Sequence, residues 1–401
     1  MEVAFFTDSY LPTLDGVATV TSALARELTD LGHPVTVFAP NVSSGAPKDE
    51  TGPDGIPIVR SRSLPVPLYG QYRWSLFPFS QLWGRNFRRF DVIHLHTPGI
   101  MGSTGFLAAR HLRKPLVGTF HTNVWEMRGS FPPTLPVRFF FRVASWYALG
   151  SYYRCDVTTV PSAPTRAWVV EHSRKPFRRP VEVVPNGIEV DRFHPGIQVP
   201  DWRERCGLPS APLVTYLGRL TLDKGVHRFL DALADLSARD DFAGLIAGSG
   251  PEEGRVRDRL RTDPRLMGRV RYIGPVAEEE KASLLAQSEL FVLPSTSDTS
   301  SLALLEAMAC GAACLAFDVG GPAEMIQDGV TGRLVPATQP ASLGAAISDL
   351  LANGTERDRL RRAAIEYVRR EASIERTATR FMALYEMLLE ERRPDDGRLA
   401  G

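Results

Sequence analysis

Four cysteines in 401 residues, at positions 155, 206, 310 and 314, are too few and too scattered for a disulfide framework. Cys310 and Cys314 lie in an apolar stretch, where a free thiol behaves as a small buried hydrophobe. No uninterrupted apolar run reaches the roughly 18–20 residues needed to cross a bilayer. The opening, Met1-Glu2-Val3-Ala4-Phe5-Phe6, lacks the basic segment and long apolar stretch of a secretory leader. Together these shortages predict a cytoplasmic protein with reduced thiols. No G-x-G-x-x-G follows the first apolar run at 3–7, and Gly248-Ser-Gly250 lacks the closing glycine, which excludes a nicotinamide-dependent dehydrogenase. Carboxylates spaced to hold a divalent ion on a diphosphate are also missing. The nearest pattern, Glu189-Val-Asp191, follows Asn186-Gly187 and reads as a turn or cap. His94 and His96 alternate in a strand and point the same way, but no third ligand lies near them in sequence, so no metal site is expected.

Acidic side chains are scarce in one region only. The whole chain balances 47 Lys+Arg against 46 Asp+Glu, a formal charge of +1. Residues 1–195 nevertheless hold 21 basic and 15 acidic side chains, and residues 59–179 hold 18 basic against four acidic. The near-neutral total rules out a uniformly basic nucleic-acid coat and leaves one basic half in need of a partner.

What is present is a regular alternation. Short apolar runs at 3–7, 35–39, 91–95, 116–120, 157–160 and 181–184 read as strands. Helical periodicity occupies 17–31, 102–112, 136–153 and 163–172, with Gly32 ending the first helix. Residues 186–212 break the rhythm with four prolines and no sustained period, as a linker does. The alternation then resumes: strands at 213–217, 242–247, 270–273, 290–293 and 314–317, helices at 226–236, 252–261, 279–287 and 302–310. An amphipathic helix follows at 374–391, and 392–401 reads as frayed. The fold class is α/β: two doubly wound, Rossmann-like domains facing across a cleft, with ligands beyond the carboxyl ends of the strands. Their limits are 1–190 and 191–373, with the helix at 374–401 packing back on the first.

Three segments carry candidate chemistry. In the stretch from Leu293 to Gly311, a strand passes through small hydroxyl residues into a helix, so the amides of Thr299, Ser300, Ser301 and Leu302 can face an anion. Asp298 and Glu306 are the acids there, with Asp298 or Ser301 as the alternative caps. In Tyr216-Leu-Gly-Arg-Leu-Thr-Leu-Asp-Lys-Gly225, Arg219 and Lys224 sit at a strand's carboxyl end, placed to clamp a diphosphate. The third segment is Val183-Val-Pro-Asn-Gly-Ile-Glu-Val-Asp-Arg-Phe193, opening the linker.

In this order these segments resemble glycosyltransferase family 4, retaining enzymes that use nucleotide sugars and have the GT-B fold. The likeness runs along nearly the whole chain, including Asp15-Gly16, Gly32-His-Pro-Val35 and Glu306-Ala-Met-Ala-Cys-Gly311. It implies that Glu306 accepts hydrogen bonds from the donor's ribose and that Asp298 faces the transferred sugar. The family usually has Glu at the latter position, one methylene longer, and commonly has Gly where this chain has Ser301. It further implies that Arg219 and Lys224 neutralise the departing diphosphate, that Gly16 and Gly218 lie near the phosphates, and that His121, in Gly118-Thr-Phe-His121, stands beside the sugar. No metal cofactor is implied. Retention is expected by front-face attack through an oxocarbenium-like pair, the leaving phosphate helping to deprotonate the acceptor.

Within the family, Phe6-Thr-Asp-Ser-Tyr-Leu-Pro12, the stretch from Leu64 to Arg73, and Ser297-Asp-Thr299 resemble diacylglycerol glycosyltransferases and related lipid mannosyltransferases. The stretch 136–154 combines Phe139, Phe140, Phe141, Trp146 and Tyr147 with Arg138, Arg142 and Arg154, as a helix in a headgroup layer does; a core helix with snorkelling arginines is the alternative. The expectation is a peripheral enzyme at the inner face of the cell membrane that moves a hexose, UDP-linked first and GDP-mannose second, to a membrane lipid. A soluble acceptor is the second reading. Nucleic-acid binding through the basic half is the rival from another class, and no nucleic-acid motif supports it.

Overall fold

Where the sequence concentrates Val, Ile, Leu and Phe in runs of four to six, the chain forms strands buried along their whole length. The computed structural model describes residues 1–13, 15–43, 49–66, 69–76, 87–121, 134–197, 201–236 and 241–392. Pro67 and Leu68 of the lipid-enzyme likeness and the tail at 393–401 lie outside the described residues.

The chain divides into two compact units, and the crossing comes at Gly187–Ile188, inside the predicted linker and three residues before the expected limit at 190. In unit 1 the chain order is β1 (Val3–Phe6), α1 (Gly16–Asp30), β2 (Val35–Pro40), β3 (Asp49–Thr51), β4 (Pro57–Ser61), β5 (Ser63–Val66) and β6 (Tyr69–Ser75). Then come β7 (Val92–Leu95), α2 (Ile100–Leu112), β8 (Leu116–Thr119), α3 (Leu135–Tyr152), β9 (Val157–Val160), α4 (Ala163–His172) and β10 (Glu182–Val183). Eight strands form one sheet in the order β10-β9-β8-β7-β1-β2-β4-β3. It is parallel except for the edge strand β3, and β5 and β6 make a separate antiparallel pair.

Unit 2 runs through α5 (Trp202–Cys206), β11 (Leu213–Leu217), α6 (Val226–Leu236), β12 (Ala243–Ala247), α7 (Glu253–Thr262), β13 (Val270–Tyr272), α8 (Glu278–Ala286) and β14 (Leu290–Leu293). It continues with α9 (Leu302–Ala309), β15 (Ala313–Phe317), α10 (Gly320–Met325), β16 (Arg333–Val335), α11 (Ser342–Ala352) and α12 (Gly354–Glu371). Its six strands are all parallel, in the order β13-β12-β11-β14-β15-β16. Helices α6, α7 and α11 cover one face, α8, α9 and α12 the other.

The last helix, α13 (Ile374–Glu390), belongs to unit 1. Its buried side chains Ile374, Ala378, Phe381, Tyr385 and Leu388 share a core with Leu24 and Leu28 of α1 and with Val3, Phe5 and Val37 of the sheet. All four cysteines are free, and burial holds the thiols of Cys155, Cys310 and Cys314 above their ordinary range.

Candidate functional site

In unit 2, β11 lies between β12 and β14, and the helices that follow β11 and β14 pack on opposite faces of the sheet. A crevice opens at such a switch point, beyond the carboxyl ends of the two strands. Both candidate segments begin there. Lys224 Nζ donates to Asp298 Oδ2 at 2.6 Å, with the two side chains 15% and 9% exposed. Asp298 is thus a half-buried partner of Lys224, and the cap of α9 is Ser301, whose hydroxyl accepts from the Leu304 amide. Ser300 Oγ is buried without a partner among the described residues. Thr299 and Leu302 flank the helix start, half-buried.

Glycines allow this proximity. Gly225 has φ 74°, and a Cβ there would lie 2.0 Å from the Pro294 carbonyl oxygen. On the other side Gly320, at φ 62°, and Gly321 back the loop; the Gly321 amide donates to the Asp298 carbonyl at 2.8 Å. The Gly218 amide donates to the Ala247 carbonyl at 3.1 Å. Tyr216 donates its hydroxyl proton to the Arg219 carbonyl at 2.8 Å, fixing the backbone while the Arg219 side chain projects into solvent.

Glu306, one turn into α9, is buried and meets Lys281 Nζ at 3.3 Å; Lys281 also pairs with Glu278 at 2.8 Å, and Glu278 with Arg192 at 3.1 Å. Burial pushes the Glu306 carboxyl above its usual range, against the pull of Lys281. Burial alone would lower Lys281, but Glu306 and Glu278 overcome it and hold the ammonium above the ordinary lysine value. Lys281, Glu278 and Arg192 were not legible as site residues, because α8 and the linker that supply them are distant in sequence from α9.

The unit 1 candidates also stand at strand ends. Gly16 opens α1 behind Asp15, which accepts from the Ala18 amide. Arg60, 1% exposed, pairs with Glu50 and donates to the Leu11 and Pro40 carbonyls, anchoring the turn between β1 and α1. His121 follows β8, and its Nε2 lies 3.0 Å from His96 Nδ1 with the rings stacked. His96 in turn lies against His94, ring centres 4.1 Å apart and the planes tilted by 34°. His94 bonds Tyr385 of α13 at 2.7 Å and Thr119 at 2.6 Å. Burial pulls His121 down to about 4 and both other rings well below the histidine range, so the stack is neutral at pH 7. His94 and His96, read from sequence as a pair without a third partner, therefore support His121. Among the described residues no group of three His, Cys, Asp or Glu side chains is arranged to hold a metal ion. Asp8, bonded by Thr97 and the Met101 amide, occupies the start of α2, and burial raises its carboxyl.

Helix α3 is no core helix along its first three turns. Leu135, Phe139, Phe140 and Trp146 are 81%, 70%, 61% and 53% exposed, beside exposed Arg138 and Arg142. Phe141 and the last turns, with Ala148, Leu149 and Tyr152, are buried.

Comparison with known proteins covers both units. Residues 14–192 match the family described as Glycosyltransferase Family 4, and residues 199–367 match Glycosyl transferases group 1. A phosphatidyl-myo-inositol mannosyltransferase of Mycobacterium leprae is 30% identical over 92% of this chain and 92% of its own. A GDP-mannose-dependent alpha-mannosyltransferase of Mycolicibacterium smegmatis is 29% identical over 88% of this chain and 89% of its own. Among solved structures, a sucrose-phosphate synthase of Thermosynechococcus elongatus superposes with a TM-score of 0.78 at 21% identity, covering 97% of this chain and 99% of the other.

Proposed function

This chain belongs to glycosyltransferase family 4, and from that premise we propose that it moves a hexosyl group from a nucleoside-diphosphate sugar to a membrane lipid. The observation that carries the reading is the Lys224–Asp298 pair at the switch point of unit 2, beside the start of α9. A leaving diphosphate gains negative charge as its bond to the sugar breaks. Lys224 and the amides at 299–302 supply positive charge for it, and the exposed Arg219 side chain adds its own when the donor is bound. Asp298 supplies the opposite sign for a sugar carbon that becomes cationic, and Glu306 accepts from the ribose. In unit 1, His121 orients the sugar and Gly16 lets the backbone approach the phosphates.

The proposed donor is GDP-mannose, because two relatives of nearly full coverage are mannosyltransferases; UDP-hexose is the alternative from the sequence likeness. The acceptor is a lipid, by analogy with the phosphatidyl-myo-inositol enzyme. The reaction is proposed to retain anomeric configuration without a divalent metal, Arg219 and Lys224 standing where a cation would.

A thermal-shift panel of GDP-mannose, UDP-glucose and UDP-galactose tests the donor. At 100 times its Kd, the true donor stabilises the fold by about 2.7 kcal/mol. Arg219→Ala and Lys224→Ala should each weaken that effect at least about tenfold in ligand concentration, since charge-assisted bonds contribute about 1.5–3 kcal/mol. No response to any of the three donors removes the reading. Product formed with EDTA present, and an unchanged anomer by NMR, are the expected outcomes on a lipid acceptor.

A further inference from the structure

A second charged concavity lies in unit 1, on the edge of the sheet opposite His121. It has a volume of about 320 Å³ and is lined by Arg110, Arg113, Lys114, Arg154, Arg178 and Arg392. These come from the end of α2, from the residues just before β8, β9 and β10, and from the residue beyond α13, so the cavity sits at the amino ends of the strands. Strands β8 and β9 are four residues long, which separates this edge from the carboxyl edge by about 13 Å.

One acid lines the cavity, Asp156, and it is already engaged. Arg178 and Arg392 pair with it at 2.8 and 2.6 Å, and it accepts the Leu116 amide at 2.9 Å. Arg110, Arg113, Lys114 and Arg154 have no carboxylate partner among the described residues. Several of the cations are nonetheless held in place. Lys114 donates to the Arg88 carbonyl at 3.1 Å, and Arg392 donates to the Arg113 carbonyl at 2.6 Å. Arg154 lies over the Phe106 and Tyr153 rings, at 6.0 and 5.5 Å from their centres.

Like charges gathered in one concavity repel, and the repulsion is relieved when an anion enters. Guanidinium forks fixed by other contacts lose little freedom on binding, and they match the paired oxygens of phosphate. We propose that this cavity is a binding site for a phosphate or diphosphate group, separate from the donor site of unit 2. The phosphate comes either from a soluble phosphorylated metabolite or from a lipid headgroup. The inference stands apart from the glycosyl-transfer reading, because none of its residues takes part in that chemistry.

Calorimetric titration of the full chain with inorganic pyrophosphate tests it, using Arg219→Ala with Lys224→Ala as background to weaken the other diphosphate site. Saturable binding is expected, weakened at least tenfold by Arg110→Glu together with Arg154→Glu. The neutral pair Arg110→Gln and Arg154→Gln should fall between, and circular dichroism checks that each variant is folded. Vesicles of phosphatidylcholine with and without phosphatidate separate the two sources. Pyrophosphate binding that depends on Arg110 and Arg154, with no such dependence on vesicles, identifies a soluble ligand. Phosphatidate binding with that dependence identifies a headgroup. If neither probe binds in a manner that Arg110 and Arg154 control, the proposal is overturned.

Discussion

His94, His96 and His121 are three rings in a row, each neutral for the same reason: burial penalises the charged form. A histidine depressed in the folded state binds its proton more readily when unfolded. Stability is therefore full above the unfolded value near 6.5 and falls as pH drops from there toward the folded value, about 4 for His121. Each such ring contributes a slope of up to about 1.4 kcal/mol per pH unit in that window. The melting temperature should accordingly be lower at pH 5.5 than at pH 7.5. His96→Asn should narrow the difference, whatever it does to stability at pH 7.5. An equal acid sensitivity in parent and variant would show that the stack does not control it. His121 was legible in the sequence only through the family likeness. Its support by His96 was not, because the contact exists only once β7 and β8 pair and bring two strand ends side by side.

At the scale of elements, the loop at 294–301 is pinned between two glycine-bearing turns. A methyl group at Gly225 would press on the Pro294 carbonyl at 2.0 Å, whereas one at Gly32, also at positive φ, meets nothing within 4 Å. Gly32→Ala should cost only the left-handed backbone penalty, about 1–2 kcal/mol. Gly225→Ala should cost more in chemical denaturation, and should also reduce stabilisation by the donor because Lys224 and Asp298 are displaced with the loop. Similar losses in the two variants would mean that the turns move independently. Most strands and helices up to Phe317 were legible because β-branched runs and helical apolar stripes alternate on either side of the linker. Strands β3, β4, β5 and β6, between 49 and 75, were not, since prolines, glycines and charges interrupt the apolar pattern there. Beyond Phe317 the signals weaken. β16 has three residues, α10 has six, and α12 buries only Leu360, Ala364 and Val368 beneath a charged surface. Helix α5 is a five-residue turn among prolines. The Glu306–Lys281–Glu278 network was hidden for another reason: sequence spacing does not reveal which faces of α8 and α9 meet.

For the molecule as a whole, a lipid acceptor requires a surface that meets lipid, and no helix among the described residues is long and apolar enough to span a membrane. The exposed Phe139, Phe140 and Trp146 on α3, with Arg138 and Arg142 beside them, suit a headgroup layer. Co-sedimentation with vesicles should rise with anionic lipid and fall with salt, because the Debye length shrinks from about 10 Å at 0.1 M to about 3 Å at 1 M. Arg138→Glu with Arg142→Glu should weaken it while leaving the donor thermal shift unchanged; a soluble acceptor gains if the parent ignores such vesicles. The path of the chain has its own consequence. Because α13 returns to unit 1, the segment Ile188–Ser373 is an insertion within the first unit. On the ribosome, unit 2 has all its residues before unit 1 does. Val3, Phe5 and Leu24 wait, their side of the sheet incompletely covered, until Phe381, Tyr385 and Leu388 emerge. The unit begun first is finished last, so a chain truncated after Ser373 and released has every residue of Ile188–Ser373 joined to a first unit that still exposes part of its core.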